Sequence, residues 1–484
     1  MIRILFATSE AYPLVKTGGL GDISASLPEA LCRAGHDCQV ILPGYPAAIN
    51  AALEAGSKRV TRFRYGQYDV AIWKTSLPDT SVGLWLVECP ALFERPGDSP
   101  YQNENGEDWW DNAHRFHLFA RICAMVTMGQ LGLSWKPDIV HCNDWQTGLL
   151  PVFLKSCRPP PPTVFTIHNL AYQGLFSQDT FRALGLPDHL WRFDQLEFHN
   201  QLSFIKGGLV FSDAITTVSP TYAREIKTPE FGYGLDGLLR HRGEHLSGIL
   251  NGIDAQVWDP QQDRYLEAHY SLDNLAGKAE CRTRLQEELG LKPGPGPLLG
   301  FVGRLVEQKG LDWLLVVIPD LLSQGCQFAM LGSGEARYEK ALQALAQQWP
   351  DQLALTLGYN EAMAHRITAG ADLFLMPSKF EPCGLNQMYS LRYGTLPVVH
   401  GVGGLNDTVF DPAEASSDIA NGFVFRQPSS GAFMNAIERA LNAWEQPETW
   451  LQLQQNGMAG DYSWKSRAED YIQLYRSLID ERGQ

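Results

Sequence analysis

The sequence predicts an α/β protein built from two doubly wound halves, and three observations carry that prediction. The chain opens with a short apolar run, a glycine-rich turn and a helical stretch, the order that begins a parallel sheet covered by helices. A second alternation of apolar runs and helical stretches starts near residue 298. A short echo joins the two series: T-G-G-L-G-D at 17–22 and V-G-G-L-N-D at 402–407, each after an expected strand and before an expected helix. With 484 residues, the chain exceeds one ordinary domain and has room for two or three.

The elements follow in order. Residues 2–8 read as the first strand, too short an apolar run for a signal peptide. A turn with three glycines leads into a helical stretch ending near Gly35, and 39–42 is the second strand. Further short apolar runs at 82–87, 138–142, 164–167 and 214–218 continue the series, with a helical stretch at 113–129. The four prolines at 159–162 precede a strand and read as a stiff surface turn. The K-P-G-P-G-P run at 292–297 leads into the second series: strand 298–302, helix 311–322, then strands 327–331, 373–376 and 396–399. Residues 464–479 close the chain, with Tyr471, Ile472, Leu474, Tyr475 and Leu478 at helical spacing.

Composition narrows the partners. Apolar residues make up 44% and charged residues 19%, ordinary values for a globular protein. A net charge of -15 repels phosphate backbones and anionic lipid, so nucleic acid and membrane are poor partners. A neutral polymer fits that surface, and a local cationic pocket can still hold a small phosphate ester. The nine cysteines are an odd number without C-x-x-C pairing, which predicts buried thiols in a reducing, cytoplasmic setting. No apolar stretch reaches bilayer length.

Four places carry chemistry. Lys16-Thr17-Gly18-Gly19-Leu20-Gly21-Asp22 sets a lysine and a glycine turn at the end of the first strand, where open α/β sheets bind ligands. It reads as a phosphate or sugar cradle or as a plain strand-to-helix turn, since it lacks G-x-G-x-x-G and G-K-[ST]. Arg304 and Lys309 follow the strand 298–302 and suit a diphosphate, though most such cations are solvated surface charges. Glu381 lies in S-K-F-E-P-C-G-L, after a strand and before a helix, where a carboxylate serves either chemistry or the helix dipole. Cys383 reads as a small residue in a tight turn. Asn143-Asp144-Trp145 and His168-Asn169 end two consecutive strands, so their polar groups converge on one crevice; for His168 alone a structural role is the commoner outcome.

Five motifs now stand in order: K-T-G-G-L-G-D at 16–22, H-N-L-A-Y-Q-G at 168–174, N-G-I-D at 251–254, G-R-L-x-x-Q-K-G at 303–310 and F-E-P-C-G-L at 380–385. Together they resemble the bacterial glycogen synthases and plant starch synthases over nearly the whole chain. The resemblance implies the GT-B type of fold, two Rossmann-like domains facing across a deep cleft. It implies an acceptor domain at 1–245, a sugar-nucleotide domain at 246–460, and a last helix, 461–484, packing back on the first domain. It carries Lys16, Gly18 and Gly19 onto the donor loop, and Arg304 and Lys309 onto the pair that neutralises the diphosphate. Glu381 falls on the carboxylate near the transferred glucose, with Cys383, Gly384 and Leu385 continuing its loop. Asp144, His168 and Asn169 match groups around the sugar, Asn251 a residue near the glucose, and Tyr359 one beside the base. Gln146 and Asn386 depart from the residues common in relatives.

The implied reaction is retaining transfer of glucose from ADP-glucose to the non-reducing 4-hydroxyl of an α-1,4-glucan, in the cytoplasm. No metal or other cofactor is expected, because Asp-x-Asp is absent and fixed cations take its place. The alternative is a non-catalytic glucan-binding or regulatory module of the same fold.

Overall fold

In the computed structural model, which describes residues 1–97, 99–156 and 159–483, contacts divide the chain into two units. Met1–Gly252 with Trp464–Gln484 form one, and Ile253–Ser463 the other. The sequence reading put the seam at 245/246. It falls later because Leu246–Gly248 pairs in parallel with Ala214–Thr217 and so belongs to the first sheet.

Among the described residues the first unit carries a nine-stranded sheet. Its order runs Leu246–Gly248, Ala214–Thr217, Thr163–Ile167, Ile139–Asn143, Arg3–Ala7, Asp37–Pro43, Gly83–Glu88, Tyr68–Ser76, Lys58–Tyr65. The last two form an antiparallel hairpin at the edge, and the rest are parallel. Ile4, Leu5, Phe6 and Ala7 are fully buried, as parallel strands covered on both faces require. The chain order reverses beside Arg3–Ala7: its neighbours are Asp37–Pro43 on one side and Ile139–Asn143 on the other.

The closing helix, Trp464–Gly483, is part of this first unit. The Tyr475 hydroxyl lies 2.7 Å from His141 Nδ1, and the other ring nitrogen of His141 lies 2.6 Å from the Thr166 hydroxyl. Tyr471 and Tyr475 are buried, so the apolar face read from the sequence is the face that packs.

The second unit has a six-stranded parallel sheet in the order Leu353–Leu357, Gln327–Gly332, Leu298–Val302, Leu373–Met376, Leu396–His400, Phe423–Phe425. By position in the chain this is 3-2-1-4-5-6, the doubly wound order, with the reversal between Leu298–Val302 and Leu373–Met376. Alternate residues supply two cores. Leu299 and Phe301 join the cluster under helices Leu311–Ser323 and Ser430–Trp444, whereas Leu298 joins Phe374, Ile367 and Leu391 on the other face. Each fully buried leucine contributes roughly 1.5–3 kcal/mol of apolar burial. Seven of the eight described cysteines are buried and Cys32 is half-buried; Cys157 lies outside the described residues.

Candidate active site

In the second unit the loops after the two strands at the reversal are stitched together. Gly310, at φ 72°, starts helix Leu311–Ser323, and a Cβ there would meet the Pro377 carbonyl oxygen at 1.9 Å. Lys379 N donates to the Gln308 carbonyl at 2.8 Å, and Gln308 Nε2 donates to the Phe380 carbonyl at 3.2 Å. Across this seam Lys309 Nζ meets Glu381 Oε2 at 2.5 Å, and the Ser378 hydroxyl donates to the same oxygen at 2.9 Å. Glu381 is 7% exposed, so its carboxylate is fixed from two sides. Arg304 is exposed, with its guanidinium 3.2 Å from Gln308 Oε1.

The F-E-P-C-G-L turn rests on a third loop. Gly403, at φ 45°, lies so close that a Cβ would meet the Glu381 carbonyl oxygen at 1.9 Å, and one on Gly404 would meet the Cys383 carbonyl at 2.2 Å. Gly404 N donates to the carbonyls of Glu381 and Pro382. Cys383 is buried, and Gly384 and Leu385 are half-buried. Asn386, one of the departures, donates from Nδ2 to the Val302 carbonyl at 2.7 Å and ties the following helix to the central strand. Tyr359 lies beyond the edge strand Leu353–Leu357, is 74% exposed and donates from its phenol to Glu361.

In the first unit polar groups gather at the carboxyl ends of Arg3–Ala7, Ile139–Asn143 and Thr163–Ile167. Asn143 Nδ2 donates to the Ala7 carbonyl at 3.0 Å, which turns its Oδ1 toward His168 Nε2, 2.9 Å away. Nε2 therefore carries the imidazole proton. Burial pushes the His168 pKa down to about 3, so the ring is neutral and Nδ1 is a bare acceptor. Among the described residues that buried Nδ1 has no hydrogen-bond partner. Asp144 takes φ 54°, a costly angle for a residue with a Cβ, and its Oδ1 accepts from His168 N at 2.8 Å. Burial pushes its carboxyl up to about 7, against the lowering effect of the His168 and Asn169 amides. Asn169 is half-buried and caps its own turn through Ala171 N. Asn251 is 2% exposed, its Oδ1 has no partner among the described residues, and it falls within the first unit.

The Lys16 turn lies at the surface of the first unit. Residues 16–19 are exposed, and Lys16 Nζ pairs with Asp22 Oδ1 at 2.9 Å. A Cβ on Gly18 would meet nothing within 4 Å. The turn amides, however, face inward: Thr17 N and Gly18 N donate to Glu10 Oε2 at 2.7 and 3.4 Å. The sequence reading left this turn open as a phosphate or sugar cradle or a plain strand-to-helix junction, and it missed Glu10, which follows the first strand and carries no motif signal. Tyr101 was missed as a site partner as well, whereas Asn143 and Ser378 stand inside the motifs read from the sequence. Among the described residues no group of three or more His, Cys, Asp or Glu is arranged to hold a metal ion, and no helix is long and apolar enough to cross a membrane.

Residues 3–241 match the family described as starch synthase catalytic domain, and residues 284–456 match glycosyl transferases group 1. A glycogen synthase of Marinobacter nauticus is 71% identical over 99% of this chain and 98% of its own. The chain belongs to the glycogen synthase family. A second member, from Cellvibrio japonicus, is 53% identical over 99% of this chain and all of its own. The solved catalytic domain of starch synthase IV from Arabidopsis thaliana, bound to ADP and acarbose, is 33% identical with a TM-score of 0.89, covering 99% of each chain. This family member is thus a two-domain α/β glycosyltransferase of the GT-B type, a hexosyltransferase of glycogen synthesis. The reading as a non-catalytic module is not favoured by these likenesses.

Proposed function

We propose that the chain elongates an α-1,4-glucan by retaining transfer of glucose from ADP-glucose to the non-reducing 4-hydroxyl. The observation that carries this reading is the Lys309–Glu381–Ser378 cluster at the strand reversal of the second sheet, beside Arg304. A reversal of strand order opens a crevice at the carboxyl ends of the strands, where doubly wound sheets hold nucleotides. The ADP of the Arabidopsis relative supports the choice of donor.

In this reading Arg304 and Lys309 neutralise the diphosphate as the bond from glucose C1 to phosphate oxygen breaks. Lys309 has three donor protons, so its bond to Glu381 leaves capacity for an anion. Glu381 lies against the transferred glucose, with Cys383, Gly384 and Leu385 forming the same turn. Tyr359 stands beside the base. Of the first-unit residues, Lys16, Gly18 and Gly19 meet the donor, and Asp144, His168, Asn169 and Asn251 bind sugar hydroxyls. His168 suits that role because its bare Nδ1 accepts from a hydroxyl. The acceptor 4-hydroxyl attacks C1 on the face that ADP leaves, and the departing phosphate oxygen takes its proton. The work is metal-independent and cytoplasmic.

Labelled glucose incorporation into glycogen from ADP-glucose and UDP-glucose, side by side, tests the reading. ADP-glucose gives the higher kcat/KM, exhaustive EDTA leaves the rate unchanged, and exo-acting amylolysis releases the label. A higher kcat/KM with UDP-glucose overturns the donor, an α-1,6 product overturns the acceptor chemistry, and loss on chelation restored by Mg²⁺ overturns metal independence.

A further inference from the structure

We infer that Glu10 is the positioning residue that holds the Lys16 turn in its binding shape, and that donor affinity runs through it. Glu10 follows the first strand, Arg3–Ala7, and is 3% exposed, beneath four consecutive exposed residues, 16–19. Its carboxylate collects four donors. Oε2 accepts from Thr17 N at 2.7 Å and Gly18 N at 3.4 Å; Oε1 accepts from the Thr17 hydroxyl at 2.6 Å and the Tyr101 hydroxyl at 2.7 Å. Three of the four come from the turn itself. The fourth brings in a residue 91 positions away, whose hydroxyl also lies 2.7 Å from the Ser9 hydroxyl.

Other anchors lie around the turn, among them the Lys16–Asp22 pair and Gly21 N donating to the Gly18 carbonyl at 3.3 Å. Ala11 and Val15 exchange backbone bonds at 3.0 Å, and Tyr12 N donates to the Gly21 carbonyl at 3.0 Å. These fix the two ends of the excursion, while residues 17 and 18 bind downward to Glu10. A glycine pair with open space around Gly18 gains no stiffness from side-chain packing. The buried carboxylate supplies it instead, and an acceptor-only group is the one polar side chain that satisfies four donors at once. The Thr17 and Gly18 amides, which would otherwise suit an anion, are thereby turned to internal use, while the Lys16 ammonium pairs with Asp22 Oδ1 at 2.9 Å.

The inference rests on the reading that Lys16 meets the donor, and the experiment separates the two. Glu10→Gln keeps the size but puts an NH₂ against donors. The expected result is a rise of about tenfold to a hundredfold in KM for ADP-glucose with a smaller change in kcat. Amide exchange at Thr17 and Gly18 quickens, and Glu10→Gln adds little further loss in a Lys16→Ala background. Tyr101→Phe removes one donor and gives a smaller shift in the same direction, which carries the test if Glu10→Gln does not fold. Unchanged KM and unchanged exchange overturn the inference, as does an equal fold-loss from Glu10→Gln in both backgrounds. If Lys16→Ala leaves KM unchanged while Glu10→Gln still quickens exchange, the donor reading of Lys16 falls and the anchoring role of Glu10 stands.

Discussion

Two glycine turns of nearly the same sequence, T-G-G-L-G-D and V-G-G-L-N-D, use their glycines in opposite ways. In the second, Gly403 and Gly404 exist to let two backbones touch: a Cβ on either would strike the carbonyls of Glu381 or Cys383. In the first, Gly18 touches nothing, and its N–H is drawn down to a buried carboxylate. The second turn is a wedge that shapes the Glu381 loop. The first leaves the space around Gly18 clear. A nearly shared motif therefore reports a strand-to-helix junction and leaves the purpose of its glycines undetermined.

The comparison breaks most visibly at the residue the second turn supports. Glu381→Ala should fold and yet lose roughly two orders of magnitude or more in turnover; near-normal turnover in the folded variant would remove Glu381 from the chemistry. Next in size is Gly403→Ala. It joins a φ of 45° to a carbonyl contact at 1.9 Å and should cost about 3 kcal/mol or more of stability, read by chemical denaturation, with turnover falling as the Glu381 loop shifts. A stability loss under about 1 kcal/mol would show that the wedge gives way easily.

Gly18→Ala sharpens the contrast. Its backbone lies in the extended region that any residue adopts, so stability should stay within about 0.5 kcal/mol of the parent. The KM for ADP-glucose should rise about tenfold, because a methyl group intrudes where the ligand approaches. A parent-like KM would mean that the open surface is unused.

The smallest effect concerns pH. Asp144 is raised to about 7 by burial, so between its ordinary value and 7 the folded state keeps a proton that the unfolded state releases. Its contribution to stability is present in full at low pH and is lost as pH rises through 7. Asp144→Asn removes that slope while keeping an oxygen to accept from His168 N. The melting temperature of the parent relative to the variant should fall between about pH 4 and 7; parallel profiles would assign the raised value to another group.

The parts of the fold legible in the sequence were those buried on both faces. Leu298–Val302 and Leu373–Met376 are continuous apolar runs because helices cover both sides of their sheet, and their shortness sets them apart from apolar helix segments such as Leu311–Ser323. The edge hairpin went unread because Lys58–Tyr65, K-R-V-T-R-F-R-Y, is exposed along most of its length and carries charges that guard a sheet edge. Leu353–Leu357 is another half-exposed edge strand. The candidate site split the same way. Arg304, Lys309 and Glu381 stood out at predicted strand ends, but the bond joining Lys309 to Glu381 spans 72 positions and has no local trace. Glu10 was invisible because no local pattern marks a carboxylate that gathers donors from Thr17, Gly18 and Tyr101.

The closing helix leaves the order of assembly at odds with the order of the chain. Residues Trp464–Gln484 complete the first unit, whose strands were laid down at the other end, and His141 waits for Tyr475, 334 positions on. On a ribosome the first unit is translated almost whole, then held with a missing wall while Ile253–Ser463 emerges and folds. Until the last helix is made, His141 lacks its Tyr475 partner, and the unit translated first is the one completed last.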